Sequence, residues 1–437
     1  MNIASPRPEH APADSVRLNK HAGTFSNRWM QLAFGVLCTV MLSNMQYGWT
    51  LFVNPMHDAM HWPNASIQLA FTIMIMFNTW LSPFEGWLVD RYGPRPVVMF
   101  GGAMAGLSWV MNARAQSLPG LYAAAVVGGI GVGCVFGTCM GTALKWFPDR
   151  RGLAAGTIAA GFGLGAAITV IPLAASIHET GYRDTFWLFG LIQGATIFLT
   201  GALLVKPRPP LAIAGSRAQR PQGPERAPSK VIVTGTFWMI YLIYLMIAFG
   251  GMVVTAQLGP IARDFHVDKS FVAFAGFSLP VLTLTLSVDN FANGITRPLC
   301  GFLSDRIGRE NTMLLVFSLE AAALAGMAVF GRHPVAFVIF AAWIFLCWGE
   351  VFSIFPAICG DTFGIGNAAA NNGMLYTAKG VSSAAVPLAG LLAVSGGWTT
   401  VLLTAAIASL LAGVLAKVTL APMRRYLMAI PSNYKAG

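Results

Sequence analysis

Charge is what this chain lacks. Asp, Glu, Lys and Arg make up only 10% of its 437 residues, where a soluble domain carries roughly a quarter. Too few charges exist to solvate the surface of a soluble protein this long, and a disordered chain would be richer in charge still. Cysteine is scarce too. The six residues Cys38, Cys134, Cys139, Cys300, Cys347 and Cys359 all fall in apolar stretches, and no CxxC pair occurs. That argues against a zinc site or disulfide framework and predicts small buried hydrophobes. No GxGxxG or GxxxxGK[ST] loop is present, so nucleotide-driven pumping has no support. No histidine lies deep in an apolar run, and no nucleophile–base spacing or metal-ligand cluster stands out. The sequence predicts no enzyme, no catalytic residue, no cofactor and no metal.

Hydrophobic residues make up 55% of the chain, with 28 Lys+Arg against 17 Asp+Glu and a net charge of +11. In a soluble protein that excess would suggest nucleic acid; in a membrane protein it marks basic cytoplasmic loops. A spanning helix needs about 20 mostly apolar residues. Twelve such runs lie near 29–53, 66–89, 97–112, 120–144, 152–177, 185–205, 237–259, 271–303, 312–330, 335–359, 369–394 and 398–420. The first is too long for a signal peptide and is expected to stay as the first span. The Pro-, Arg- and Ser-rich stretch 206–236 reads as a flexible connector. The expected organisation is an N-tail (1–28), a six-helix bundle (29–205), the linker (206–236), a second six-helix bundle (237–421) and a C-tail (422–437). The expected fold class is an all-α membrane protein of twelve transmembrane helices in two halves.

Basic residues set the orientation. Twenty-one of the 28 fall in the N-tail, the linker, the C-terminal end and the loops on their side. Five lie opposite: Arg114, Arg183, Arg263, Lys269 and Arg332. Both termini and the linker are therefore expected in the cytoplasm. Two cations remain, Arg297 and Lys379, inside apolar runs.

A repeat supports the two halves. Gly86-x-x-x-Asp90-Arg91-x-Gly93 recurs as Gly301-x-x-x-Asp305-Arg306-x-Gly308, each copy closing the second span of its half. An Asp and an Arg at a helix end can pair with neighbouring helices, and glycine permits a tight turn. An ordinary charged loop would explain one copy; two at equivalent places point to a duplicated transporter with a gating motif. Glycines at four-residue spacing (Gly129, Gly133, Gly137, Gly141; Gly152/Gly156; Gly161/Gly165) predict close helix packing.

Charges inside spans are costly and face a cavity or a partner. Arg297 lies two helical turns, roughly 12 Å, before Asp305, and Lys379 lies about ten residues into its span. Two deep cations become tolerable when an anion bridges them, and a small carboxylate offers Arg bidentate geometry. Structural pairing with internal carboxylates is the plain alternative. Asp289 and Glu350 read as counter-ions or proton-binding groups, Glu320 as packed or interfacial, and Glu85 as part of the charge network at the Gly86 motif. Gln46, Tyr47, Trp348, Phe352 and Tyr376 could sheathe a planar anion, although membrane aromatics more often simply pack.

On these residues the chain resembles the bacterial oxalate:formate antiporter family of the major facilitator superfamily. The most specific pieces are Gln46-Tyr47-x-Trp49-Thr50, Trp146-Phe147-Pro148-Asp149-x-Arg151-Gly152-Leu153-Ala154, Asn293-Gly294-x-x-Arg297-Pro298-x-x-Gly301 and Ala378-Lys379. The resemblance implies that Arg297 and Lys379 are cationic substrate ligands. It implies a cage of Gln46, Tyr47, Phe136, Phe162, Trp348, Phe352 and Tyr376. Its pattern has tyrosines where Phe136, Phe162 and Phe352 stand and no carboxylate at Asp289, Glu85 or Glu350. The function expected is antiport of small carboxylates such as oxalate and formate. Proton-coupled monocarboxylate symport through Asp289 or Glu350 is the alternative, and a transporter-like sensor a third. Expected partners are the substrate and the bilayer, with no nucleic acid. The chain is expected to act as a monomer in a bacterial inner membrane.

Overall fold

The computed structural model describes residues 27–206, 223–274, 277–384 and 386–429. The expectations for the rest of the N-tail, for 207–222 and for the C-terminal end lie outside those residues.

The described chain is almost entirely helical and passes back and forth twelve times. Pass 1 is built from Arg28–Leu42, Asn44–Tyr47 and Thr50–Met60, pass 2 from Asn64–Trp80 and Ser82–Tyr92. Passes 3 to 6 are Pro94–Arg114, Leu118–Trp146, Arg151–Thr180 and Tyr182–Gly201. Passes 7 to 9 are Gly235–Asp264, Val281–Ile307 and Arg309–Phe330. Pass 10 joins Pro334–Trp348 to Val351–Phe363, and pass 11 opens with Ala368–Ala384. The helical stretch Val386–Leu415 ends pass 11 and begins pass 12 across a break at Gly397. Six helical stretches are long and apolar enough on their own to cross a membrane, among the described residues.

The turns follow from the sequence. Gly93 and Gly308, the last glycines of the two repeat copies, hold φ of 87° and 96°. An L side chain is strained there, so glycine lets one helix stop and the next start at once. Pro94 then occupies the first helical position, where its missing N–H costs nothing.

Two expectations need correction. The eighth apolar run does not begin as a helix at 271. Phe271–Phe274 and Phe277–Pro280 pair as an antiparallel hairpin, and the helix starts at Val281. Pro280 disfavours the helical region for the residue before it and serves as the N-cap of the helix that follows. The linker is also not a free connector throughout. Gly223 and Arg226 donate backbone hydrogen bonds to the carbonyls of Asp361 (2.9 Å) and Phe363 (3.0 Å). The Glu225 carboxylate accepts from the amides of Ile365 (2.9 Å) and Gly366 (2.6 Å).

The outer face carries large apolar side chains, among them Phe84, Leu199, Phe291, Leu299, Val329 and Ile407, all more than half exposed. Water would penalise that surface, whereas lipid is its natural solvent. The six cysteines are all buried and unbridged. The two halves meet along passes 5 and 8 and along passes 2 and 11.

Candidate functional site

Pass 8 carries Arg297, which is 1% exposed. Its Nη2 donates to the Asn293 side-chain oxygen, one turn earlier, at 2.5 Å. Its Nη1 crosses to the other half and donates to the carbonyl of Ala159 on pass 5 at 2.5 Å. Its Nε has no partner. Room for the guanidinium comes from Gly163, where a Cβ would lie 3.3 Å from Cζ. Asn293 in turn donates to the Phe345 carbonyl of pass 10 at 3.3 Å, which braces the arginine from behind.

Pass 11 carries Lys379, 4% exposed. Its ammonium donates to the Tyr376 hydroxyl at 3.0 Å. Both cations sit over the same ring. Arg297 Cζ lies 4.6 Å and Lys379 Nζ 5.4 Å from the Phe352 centroid. The two charges are therefore no further apart than the sum of those distances, close enough to repel in a dry interior.

The remaining aromatics join this pair. Tyr47, Phe162, Phe136 and Tyr376 form a chain with centroids 5.6, 5.3 and 5.9 Å apart. Trp348 meets Phe352 edge-on at 5.6 Å. Its indole packs on Gly251, where a Cβ would lie 2.1 Å away, and its Nε1 has no hydrogen-bond partner. Gln46 Oε1 is likewise buried without a partner. The cage residues thus come from passes 1, 4, 5, 10 and 11, with Arg297 from pass 8. Its walls are aromatic faces, and its polar groups include the two cations, the Tyr376 hydroxyl and the unpartnered Gln46 Oε1 and Trp348 Nε1. Such a site suits a small planar anion.

The acids do not meet the cations. Asp289 and Glu350 are 1% and 0% exposed, and neither carboxyl has a hydrogen-bond partner. No ion pair among the described residues involves them, so the counter-ion expectation is not what the geometry provides. Asp289 shares the helix of Arg297 two turns away, too far to reach it. Glu320 is also fully buried and unpartnered. Glu85 does not join the charge network at the Gly86 motif, as expected of it. It turns inward against Gly133, where a Cβ would lie 2.0 Å from Oε2, and lies beside the Cys134 thiol.

The two repeat copies perform one task. Asp90 pairs with Lys145 at 2.6 Å and accepts from the amide of Ala370, in the first turn of pass 11, at 3.0 Å. Asp305 accepts from the amides of Gly152 and Leu153, in the first turn of pass 5, at 3.2 and 3.0 Å. Each aspartate thus caps a helix N-terminus of the opposite half, where free N–H groups and the helix dipole favour an anion. Arg91 lies over Trp87 at 5.3 Å and Arg306 over Phe302 at 4.3 Å.

Sequence reasoning missed the hub of this network, Asp361. It bonds Arg151 of pass 5 at 2.6 Å and Arg309 at 2.8 Å, all three nearly buried. Arg309 also pairs with Asp305 at 2.7 Å. An arginine in the first turn of pass 5 and another in that of pass 9 were the available signals, but neither names its partner. Asn293, four residues before Arg297, was findable from i,i+4 spacing.

Glycine makes the contact between halves possible. A Cβ at Gly301 would lie 2.0 Å from the Gly152 carbonyl oxygen, and one at Gly86 2.4 Å from that of Ala369. Gly301→Ala should therefore hold the halves apart at this end. Reactivity of a cysteine introduced at Leu153 toward a water-soluble maleimide should rise; unchanged reactivity would show that the contact is not needed for closure.

The family model described as Major Facilitator Superfamily matches residues 32–288 and 240–431. The oxalate:formate antiporter of Oxalobacter formigenes is 35% identical over 419 residues, covering 94% of this chain and 96% of the relative. Human monocarboxylate transporter 11 is 30% identical over 258 residues, 58% of this chain and 51% of that protein. Among solved structures, the proton:xylose symporter XylE superposes with a TM-score of 0.64 at 12% identity, covering 89% of this chain and 95% of that one. That last likeness bears on the fold alone.

Proposed function

We propose that this chain, which belongs to the Major Facilitator Superfamily and within it to the oxalate:formate antiporter family, exchanges small carboxylate anions across a bacterial inner membrane. As a member it is a secondary transporter, working by alternating access and not by chemical catalysis. The observation that carries the substrate class is the placing of Arg297 and Lys379 over one phenylalanine ring. In the empty site these two charges repel and are shielded from water, which is costly. A carboxylate neutralises both, and Arg297 offers it a planar fork of donors. Gln46, Tyr47, Phe136, Phe162, Trp348, Phe352 and Tyr376 would cover its faces and exclude water.

Arg297 also reaches across to Ala159 in the other half. An anion that draws the guanidinium toward itself weakens this strut, so binding and rocking are linked. An empty carrier keeps its buried charges and reorients slowly, which favours exchange over net flow. The basic excess supports placing the linker end, with both termini and the Asp90 and Asp305 caps, in the cytoplasm. One chain supplies the whole site, which suits a monomer.

Thermal unfolding of the purified protein against a panel of mono- and dicarboxylates tests the reading. A ligand at 100 times its Kd should stabilise by about 2.7 kcal/mol. Oxalate or a close relative should raise Tm, while a neutral amide analogue should not. A panel without any stabilising carboxylate would sink the proposal. A second reading, proton-coupled carboxylate symport, is favoured by the unpartnered carboxyls of Asp289 and Glu350.

A further inference from the structure

Three polar side chains inside the C-terminal half lie outside the anion site and have no partners. Glu320 stands on pass 9, Glu350 at the break of pass 10, and Ser409 on pass 12. Each is 0% exposed, and neither the four carboxyl oxygens nor the Ser409 hydroxyl has a hydrogen-bond partner. Glu320 Oε1 and Ser409 Oγ converge on one space beside Gly250 of pass 7. A Cβ at Gly250 would lie 3.3 Å from the first and 3.4 Å from the second. Glu320 and Glu350 stand on neighbouring passes, whose helices Arg309–Phe330 and Pro334–Trp348 pack against each other. Cys300 of pass 8 and Cys347 of pass 10 form a small buried cluster with Val316 of pass 9. No lysine, arginine or histidine pairs with either acid among the described residues.

Two carboxylates cannot share a dry interior without a positive charge between or upon them. The space beside Gly250 is tight even for a methyl group. A hard metal cation takes about six or more oxygens; the three side chains carry five, and no group of His, Cys, Asp or Glu among the described residues is arranged to hold a metal ion. The occupant that fits is a proton, held on a carboxyl oxygen with the second carboxyl or the serine hydroxyl able to accept it.

We propose that Glu320, Glu350 and Ser409 form a proton-binding site inside the C-terminal half, and that its occupancy is coupled to carboxylate exchange. The second part rests on the exchange function proposed above. Trp348 links the two sites. It stands two residues before Glu350 in the chain and packs on Phe352, the ring shared by Arg297 and Lys379. The proton comes from water, rests on the carboxyl and returns to water; no other bond changes. A proton travelling with a dicarboxylate would leave the charge of a monocarboxylate, so exchange of the two would move no net charge.

Infrared spectra of the full-length protein in lipid nanodiscs test the site. A protonated-carboxyl C=O band should be present at neutral pH and should lose intensity in both Glu320→Gln and Glu350→Gln. Ser409→Ala should shift its frequency. Carboxyl bands identical to wild type in both Gln variants would overturn the proton site. Coupling is read as the pH profile of oxalate exchange in proteoliposomes, which should flatten in Glu320→Gln; an unaltered profile would overturn coupling. Thermal stabilisation by oxalate, scored in parallel, should persist in Glu320→Gln. If wild type itself shows no stabilisation by any carboxylate, the exchange reading fails while the infrared result still decides the proton site.

Discussion

Arg297→Ala should abolish carboxylate exchange, with radiolabelled oxalate counterflow in proteoliposomes falling to the level of protein-free vesicles. The guanidinium is the larger of the two cations in the site, and it presents a fork that a carboxylate can meet with two charge-assisted bonds. Each such bond contributes about 1.5–3 kcal/mol, so losing both costs about 3 kcal/mol at least. At 1.4 kcal/mol per decade that is a loss of affinity of about 100-fold or more. The variant also removes the strut to Ala159 and leaves Asn293 without its acceptor role. Arg297→Lys separates these effects. It keeps the charge but not the fork, so it should retain detectable binding and lose most transport. Lys379→Ala should abolish exchange too, because a lone Arg297 leaves one carboxylate charge unmatched. Exchange at the wild-type rate in either alanine variant would remove that residue from the site.

Asp361→Asn should open the linker end of the molecule. Asp361 is the shared partner of Arg151 and Arg309, which come from different halves. Removing its charge leaves two buried arginines with Asp305 alone nearby, a loss of about 3–5 kcal/mol for a broken buried pair. The molecule need not unfold to relieve it. If the halves part at this end, Arg151 reaches water while each bundle stays packed. A shift of that size changes a two-state ratio by about 100-fold or more. Spin labels at Arg150 and Ile307, one in each half, should report a longer distance distribution in the variant. An unchanged distribution would remove Asp361 as the lock. Arg151→Gln should give the same shift with a smaller drop in Tm, because it leaves the pair between Arg309 and Asp361 intact.

Much of this architecture was legible in one dimension, for a physical reason. A bilayer demands long apolar runs and tolerates few interruptions, so hydropathy alone located the passes, and the two charges inside them stood out. The turn glycines Gly93 and Gly308 were readable because only glycine accepts their φ. The hairpin at 271–280 was not, because an apolar run that ends at a proline reads alike for strand and helix. The docking of Glu225 on the turn after pass 10 was hidden by a Pro- and Arg-rich context that reads as linker.

The site divides along the same line. Composition, spacing and resemblance alone single out Arg297, Lys379 and the aromatic cage. They left open whether Asp289 and Glu350 answered the cations, because a partner depends on how each helix is rotated about its axis. Helix rotation is decided by packing across the whole bundle. It turned Arg297 toward Ala159 and Phe352, and it left Asp289 and Glu350 without partners. Glu85 was turned onto Gly133, and Glu320 was set beside Ser409. The sequence by itself determined a twelve-pass, duplicated carrier with two deep cations, because solvent selects apolar length and penalises charge locally. Only the tertiary structure decided which charges meet, because ion pairs such as that of Arg151 with Asp361 join residues far apart in the chain, and only packed helices bring them within reach.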